Sequence, residues 1–332
     1  MTKRGWTLFL ALSVIWGIPY LLIKVADEAF TPATLVFFRT AIGAVVMVPI
    51  AAHRHEIRPV LARWRILLLY TVIEIAVPWV LLAQAERRLA SSLAGLLVAA
   101  VPLLGTVLLR IARERNHLGP SGLAGLGVGL GGVAVLVGFD IHGADLGSFA
   151  MMAVVVVGYA TGPFVVSRKL ADVPGNGVVA LSIALTALAY APFALTELPA
   201  HVPSGRATAS VVALGLVCTA AAFVLFFALI AEAGPVRATV ITYVNPAVAV
   251  LLGVVLLGER FSAATGVGFA LILAGSVLAT QSGRQWRRPS AYTGPVAGPT
   301  PTDDPPRSVR SSVNVDPSST PAGRGKPGGA SG

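Results

Sequence analysis

Cysteine and charge are what this chain has least of. A single cysteine, Cys218, excludes an intrachain disulfide framework and any cysteine-based metal cluster. Charged residues fill only 12% of 332 positions, against about a quarter in a soluble domain. They are too few to cover the surface of a protein this size, which excludes a typical cytosolic enzyme and disorder over most of the chain. The five histidines, His53, His55, His117, His142 and His201, all fall between the apolar stretches. H-E-x-x-H is absent, so a membrane metalloprotease lacks its ligands. The P-loop lysine motif is missing too, and with it ATP-driven pumping. No aspartate lies inside an apolar run, and Ser13, Ser91 and Ser92 have no membrane histidine to act as base.

What the chain has is apolar length. Hydrophobic residues reach 55%, and mean hydropathy is +0.78. Ten apolar stretches follow one another: 6–23, 32–50, 65–83, 89–111, 120–139, 146–167, 176–198, 209–231, 235–257 and 262–281. A helix rising 1.5 Å per residue needs about 20 residues to cross roughly 30 Å of hydrocarbon. Backbone groups in lipid must bond within their own segment, so each stretch is expected to be a helix. Strand alternation is absent. The expected fold is an all-α membrane protein of ten transmembrane helices, with short connections between antiparallel neighbours. Lys3 and Arg4 precede the first stretch and no A-x-A cleavage signal follows it, so it reads as a retained anchor.

The net charge of +10 does not form a basic stripe, so nucleic acid is not an expected partner. It reads as a topology signal. With the N-terminus cytoplasmic, twelve Lys and Arg residues fall on the inner side before the tail and five on the outer side. Arg87 and Arg88 are the main outer exceptions. Both termini are therefore expected on the cytoplasmic side of the plasma membrane. From Gly283 the chain turns to Gly, Pro, Ser and scattered charge, which predicts a disordered cytoplasmic tail over 283–332.

An internal echo divides the rest. Pro102 and Pro246 lie 144 residues apart, as do Ala94 and Ala238, while Gly125/Gly268 and Gly132/Gly275 are each 143 apart. Glu114 and Glu259 occupy matching turns. Two copies, 1–139 and 140–282, follow from this spacing. Five helices per copy is an odd number, so the second copy enters the membrane from the opposite side. That is the inverted architecture of many secondary transporters.

Trp16-Gly17 in the first stretch, Arg39 in the second, and Pro102 and Pro246 followed by glutamate turns resemble the EamA family of the drug/metabolite transporter superfamily. Gly258-Glu259-Arg260, then Gly268 and Gly275, is similar to the ending of that family's second repeat. The resemblance spans about residues 6–281 and implies ten helices, two inverted repeats, and export or exchange of small metabolites. The second copy departs from the first. Thr161 and Gly162 stand where a Trp-Gly echo would fall, and Ser182 stands opposite Arg39.

Two charges lie deep within the apolar runs, away from their ends, Arg39 and Glu74, and intramembrane charge is a functional signal by default. Helix rise brings them within about 4–5 Å in depth. One reading is a static Arg39–Glu74 bridge that fixes packing. The other turns one or both toward a water-filled cavity, to bind substrate or a proton. Pro102 and Pro246 cannot donate to Val98 and Thr242 and are expected to kink their helices toward a central site. Tyr243 and Asn245 add polar side chains at that depth, and Trp16, Tyr20 and Trp79 are candidate cavity aromatics. Gly125, Gly127, Gly129 and Gly131 form two overlapping G-x-x-x-G spacings. Their close contact is expected within one chain, with a homodimer as the alternative.

The functional expectation is a secondary carrier, an exporter or exchanger of a small polar or amphipathic solute, amino-acid-like or drug-like, working by alternating access. Its partners would be that solute, the lipid bilayer and protons as a candidate co-substrate. No cofactor or metal is expected. The rival readings are a non-catalytic scaffold or receptor and an intramembrane enzyme.

Overall fold

The computed structural model describes residues 2–111, 120–140, 146–199, 201–234, 238 and 240–282. Glu114, His117, His142, Arg113, Arg115, Arg237 and the segment 283–332 lie outside them. Among the described residues the regular structure is helical throughout. Eight helices are long and apolar enough to cross a membrane. They are α1 (Lys3–Ala26), α2 (Pro32–His53), α3 (Trp64–Glu86), α4 (Ser91–Leu108), α5 (Pro120–Gly138), α6 (Leu146–Lys169), α7 (Gly175–Thr196) and α8 (Gly205–Ala233). Two shorter apolar helices follow, α9 (Ile241–Leu257) and α10 (Ala263–Ala279). His53, expected in a connection, is the last residue of α2.

Several helices are interrupted, each for a visible reason. α1 stops at Ile15 and resumes at Pro19, whose missing N–H suits a helix start. Gly17 sits in that break against Val248 and the Asn245 carbonyl of α9, where a Cβ would clash. α4 stops at Val98 and resumes at Val101, so Pro102 occupies its second position. α9, by contrast, runs unbroken past Pro246. α3 and α8 each contain a widened π-helical turn, Thr71–Ala76 and Leu216–Ala221. Such turns are uncommon and recur at functional sites.

Polar contacts sort the helix ends into two groups. At one end Arg87 reaches Asp27 at 2.6 Å, Thr31 donates to Glu197 at 2.6 Å, and Glu259 accepts from the Ser91 and Ser92 amides. At the other end Thr2 meets Glu232, Arg63 pairs with Asp172, and Gly177 lies against the Glu56 backbone. The principal helix pairs are α5 with α10, α2 with α7, α3 with α6, α4 with α9, and α1 with α8. α5 and α10 touch through glycine. A Cβ on Gly125 would lie 2.9 Å from the Gly275 carbonyl, and one on Gly132 would lie 2.7 Å from the Gly268 carbonyl. Gly129 faces Leu103, whereas Gly127 and Gly131 have nothing within 4 Å. One G-x-x-x-G spacing therefore lies in a seam within the chain, and the other lies open.

Candidate functional site

Arg39 is buried on α2, a placement that needs explanation in an apolar bundle. Its guanidinium lies over the Trp79 ring of α3, 3.7 Å from the centroid. Its Nε donates to the Thr219 hydroxyl at 3.0 Å. Thr219 stands in the widened turn of α8 and donates onward to the Leu214 carbonyl, five residues back. Small residues admit this approach, because Gly215 of α8 packs on Ile42 and the Arg39 carbonyl. Three helices, α2, α3 and α8, thus converge on one cation. A desolvated guanidinium on an aromatic face is favourable, and the Thr219 hydroxyl satisfies only one of its five donors.

Arg39 and Glu74 do not meet, so the static bridge between them is not what the fold builds. Glu74 lies in the widened turn of α3 and faces α6, where Gly162 sits against its carboxylate. Its Oε2 is buried with no hydrogen-bond partner. The same turn carries Thr71, whose hydroxyl donates to the Leu67 carbonyl and shares a hydrogen bond with the Ser182 hydroxyl of α7 at 2.9 Å. Ser182, the residue opposite Arg39 in the echo, therefore bonds to a widened turn much as Arg39 does. Tyr159 of α6 lies in electrostatic range of Arg39, Glu74 and Glu86.

The other expected residues divide. Tyr20 is buried on α1, against Gly95 of α4 and within electrostatic range of Arg39 and Glu86. Trp16 instead packs on Phe223 and Phe226 of α8, with ring centroids 5.6 and 4.9 Å away. Tyr243 reaches the Ser276 carbonyl of α10 at 3.5 Å. The Asn245 amide, oriented to satisfy both ends, donates to the Ser13 and Ile241 carbonyls at 3.1 and 2.9 Å. These last two residues tie α9 to α10 and to α1. An apolar groove of about 290 Å³ runs between α2 and α8, lined by Val46, Ile50, Leu216 and Val224 among others.

Thr219, Thr71, Tyr159 and, above all, Glu86 join these residues without standing out in the sequence. Glu86 ends α3 with its side chain fully buried, and Lys24 of α1 donates to its backbone carbonyl and to that of Leu89. A cation on the last carbonyls of a helix completes them. Among the described residues, no group of three or more His, Cys, Asp or Glu could hold a metal ion.

Comparison with known proteins agrees with this architecture. The EamA-like transporter family matches the chain twice, over residues 3–138 and 146–281. The uncharacterized inner membrane transporter YedA of Escherichia coli K12 is 26% identical over 273 residues, 81% of this chain and 88% of that protein. YedA of strains O6:H1 and O157:H7 matches to the same extent. A solved crystal structure superposes with a TM-score of 0.62 at 24% identity, covering 86% of this chain and all of that one, a likeness of fold.

Proposed function

The chain belongs to the EamA-like transporter family and is an integral, multi-pass membrane transporter; from that premise we propose that it is a secondary carrier working by alternating access. It exports or exchanges a small polar or amphipathic metabolite. The observation that carries this reading is the Arg39 cluster, where α2 and α3 of the first family match meet α8 of the second around one buried cation. A fixed charge shared across the two matches can be offered to either side when they rock against each other.

We read the ten apolar helices as two inverted repeats, 1–139 and 140–282, with both termini and the tail cytoplasmic. Shifting every helix by five turns the α1–α8 pair into α6–α3 and returns α2–α7, α4–α9 and α5–α10 to themselves, which supports a two-fold relation. The end contacts support inversion. α1 runs from the Glu232 end to the Arg87 end, whereas α6, its counterpart, finishes beside Arg63. Repeats so related form two half-structures that exchange roles.

Arg39, Trp79, Tyr20 and Glu74 are the proposed cavity residues, with Glu74 a candidate proton carrier. Trp16, Tyr243 and Asn245 shape the helices around them. The test compares metabolites of overexpressing and deletion cells, then follows the solute that differs in proteoliposomes. Flux into or out of the vesicles supports the carrier. A solute that is transformed rather than moved, or no flux at all, sinks it.

A further inference from the structure

Glu86 is the most completely enclosed acid of the described bundle. Its residue exposure is nil, and both carboxylate oxygens lack a hydrogen-bond partner. The charged groups around it are committed elsewhere. From α1, Lys24 donates to two backbone carbonyls, and Asp27 is paired with Arg87. From α2, Arg39 is stacked on Trp79 and bonded to Thr219. Glu259, in the turn between α9 and α10, is held by the Ser91 and Ser92 amides. Tyr20 of α1 and Tyr159 of α6 are also within electrostatic range. None of these groups reaches a Glu86 carboxylate oxygen with a hydrogen bond, and a buried carboxylate in that state is costly.

We propose that Glu86 is a cation-accepting carboxylate at the α1–α3–α4 end of the bundle, built to take one unit of positive charge as a proton or as the ammonium group of an amine. The site stands on burial and missing partners; its use in driving transport rests on the carrier reading above. Lys24 is the internal cation nearest to that role. It is anchored on the carbonyls of the turn after α3, so an arriving charge completes the carboxylate without displacing the lysine from the chain.

The test uses the purified full chain in liposomes and dicyclohexylcarbodiimide, an apolar reagent that adds to protonated carboxyls, with the labelled glutamate read by peptide mass mapping. Wild-type protein is expected to be labelled at Glu86, and Glu86→Gln to lose that label. If the charge is a proton, labelling falls roughly ten-fold per pH unit above its midpoint, as for a one-proton site. If it is an ammonium group, methylammonium suppresses labelling at fixed pH, while the same concentration of sodium does not. Either result supports the site. Infrared pH-difference spectra give an independent reading, with a protonated-carboxyl band present in wild type and Glu86→Asp and missing from Glu86→Gln. No label at Glu86 in wild type, or identical infrared bands in wild type and Glu86→Gln, overturns the proposal. Wild-type liposomes that move no solute but still label at Glu86 would sink the carrier reading alone.

Discussion

Arg39 of α2 and Thr219 of α8 are 180 positions apart in the chain and joined by one hydrogen bond of 3.0 Å. With Trp79 beneath the guanidinium, the contact fixes a cation where two distant segments meet. A double-mutant cycle of Arg39→Met and Trp79→Leu should give a coupling of about 1–2 kcal/mol, the scale of a desolvated cation–aromatic pair. Reversible unfolding in mixed micelles measures it. Additive losses would mean that the stacking contributes nothing. Arg39→Lys should not restore the coupling, because an ammonium lacks the flat face.

Glu74 has one buried oxygen without a partner and a glycine where another residue would crowd it. Glu74→Gln keeps the shape and removes the ionisable group. It should leave expression unchanged and abolish the pH dependence of solute flux, read in proteoliposomes at several external pH values. A variant with the wild-type pH profile would remove Glu74 from proton coupling.

The glycines of α5 separate by what surrounds them. Gly132→Ala places a Cβ on the Gly268 carbonyl and should destabilise by about 1–3 kcal/mol, the usual cost of overpacking. Gly131→Ala meets nothing within 4 Å and should be neutral or stabilise by up to about 1 kcal/mol, through helix propensity. Thermal unfolding of both variants in detergent decides it, and equal losses would contradict the seam.

Glu259 lies outside the spans and caps α4 from another part of the chain, accepting from the Ser91 and Ser92 amides at 2.7 and 2.9 Å. Burial raises its pKa, but the hydrogen bonds from Ser92 and Ser91 outweigh burial and hold the carboxyl below the usual carboxylate range. A depressed folded value means the stabilisation is complete above the unfolded pKa and disappears as pH falls through the folded one. Glu259→Gln should cost about 1 kcal/mol at neutral pH, typical of a lost helix cap, and progressively less below about pH 4. Stability curves of the two proteins against pH should converge in acid; a constant gap would rule out the charged cap.

Much of this site is visible in the sequence, and the rest is hidden for definite reasons. Arg39 stands out because a charge in an apolar run is conspicuous. Its partner does not, since a threonine among Leu216, Val217 and Cys218 carries no signal in one dimension. Counting residues from a span's end gives depth but not the direction a side chain takes around the helix. That is why Arg39 and Glu74 look like partners on paper and diverge in the fold, where the widened turn at Thr71–Ala76 carries Glu74 toward α6. Glu86 escapes notice because the apolar run ends at Ala83, and Glu-Arg-Arg reads as a solvated turn. Lys24, from α1, closes over that turn by taking two of its carbonyls.

Gly125 against Gly275 and Gly132 against Gly268 are the very glycines that echo one another at 143 residues, met crosswise. Bulk gained on one helix of this seam has to be surrendered on the other, and the partner has no side chain left to give. A methyl group at any of these four positions therefore forces the facing helix to move.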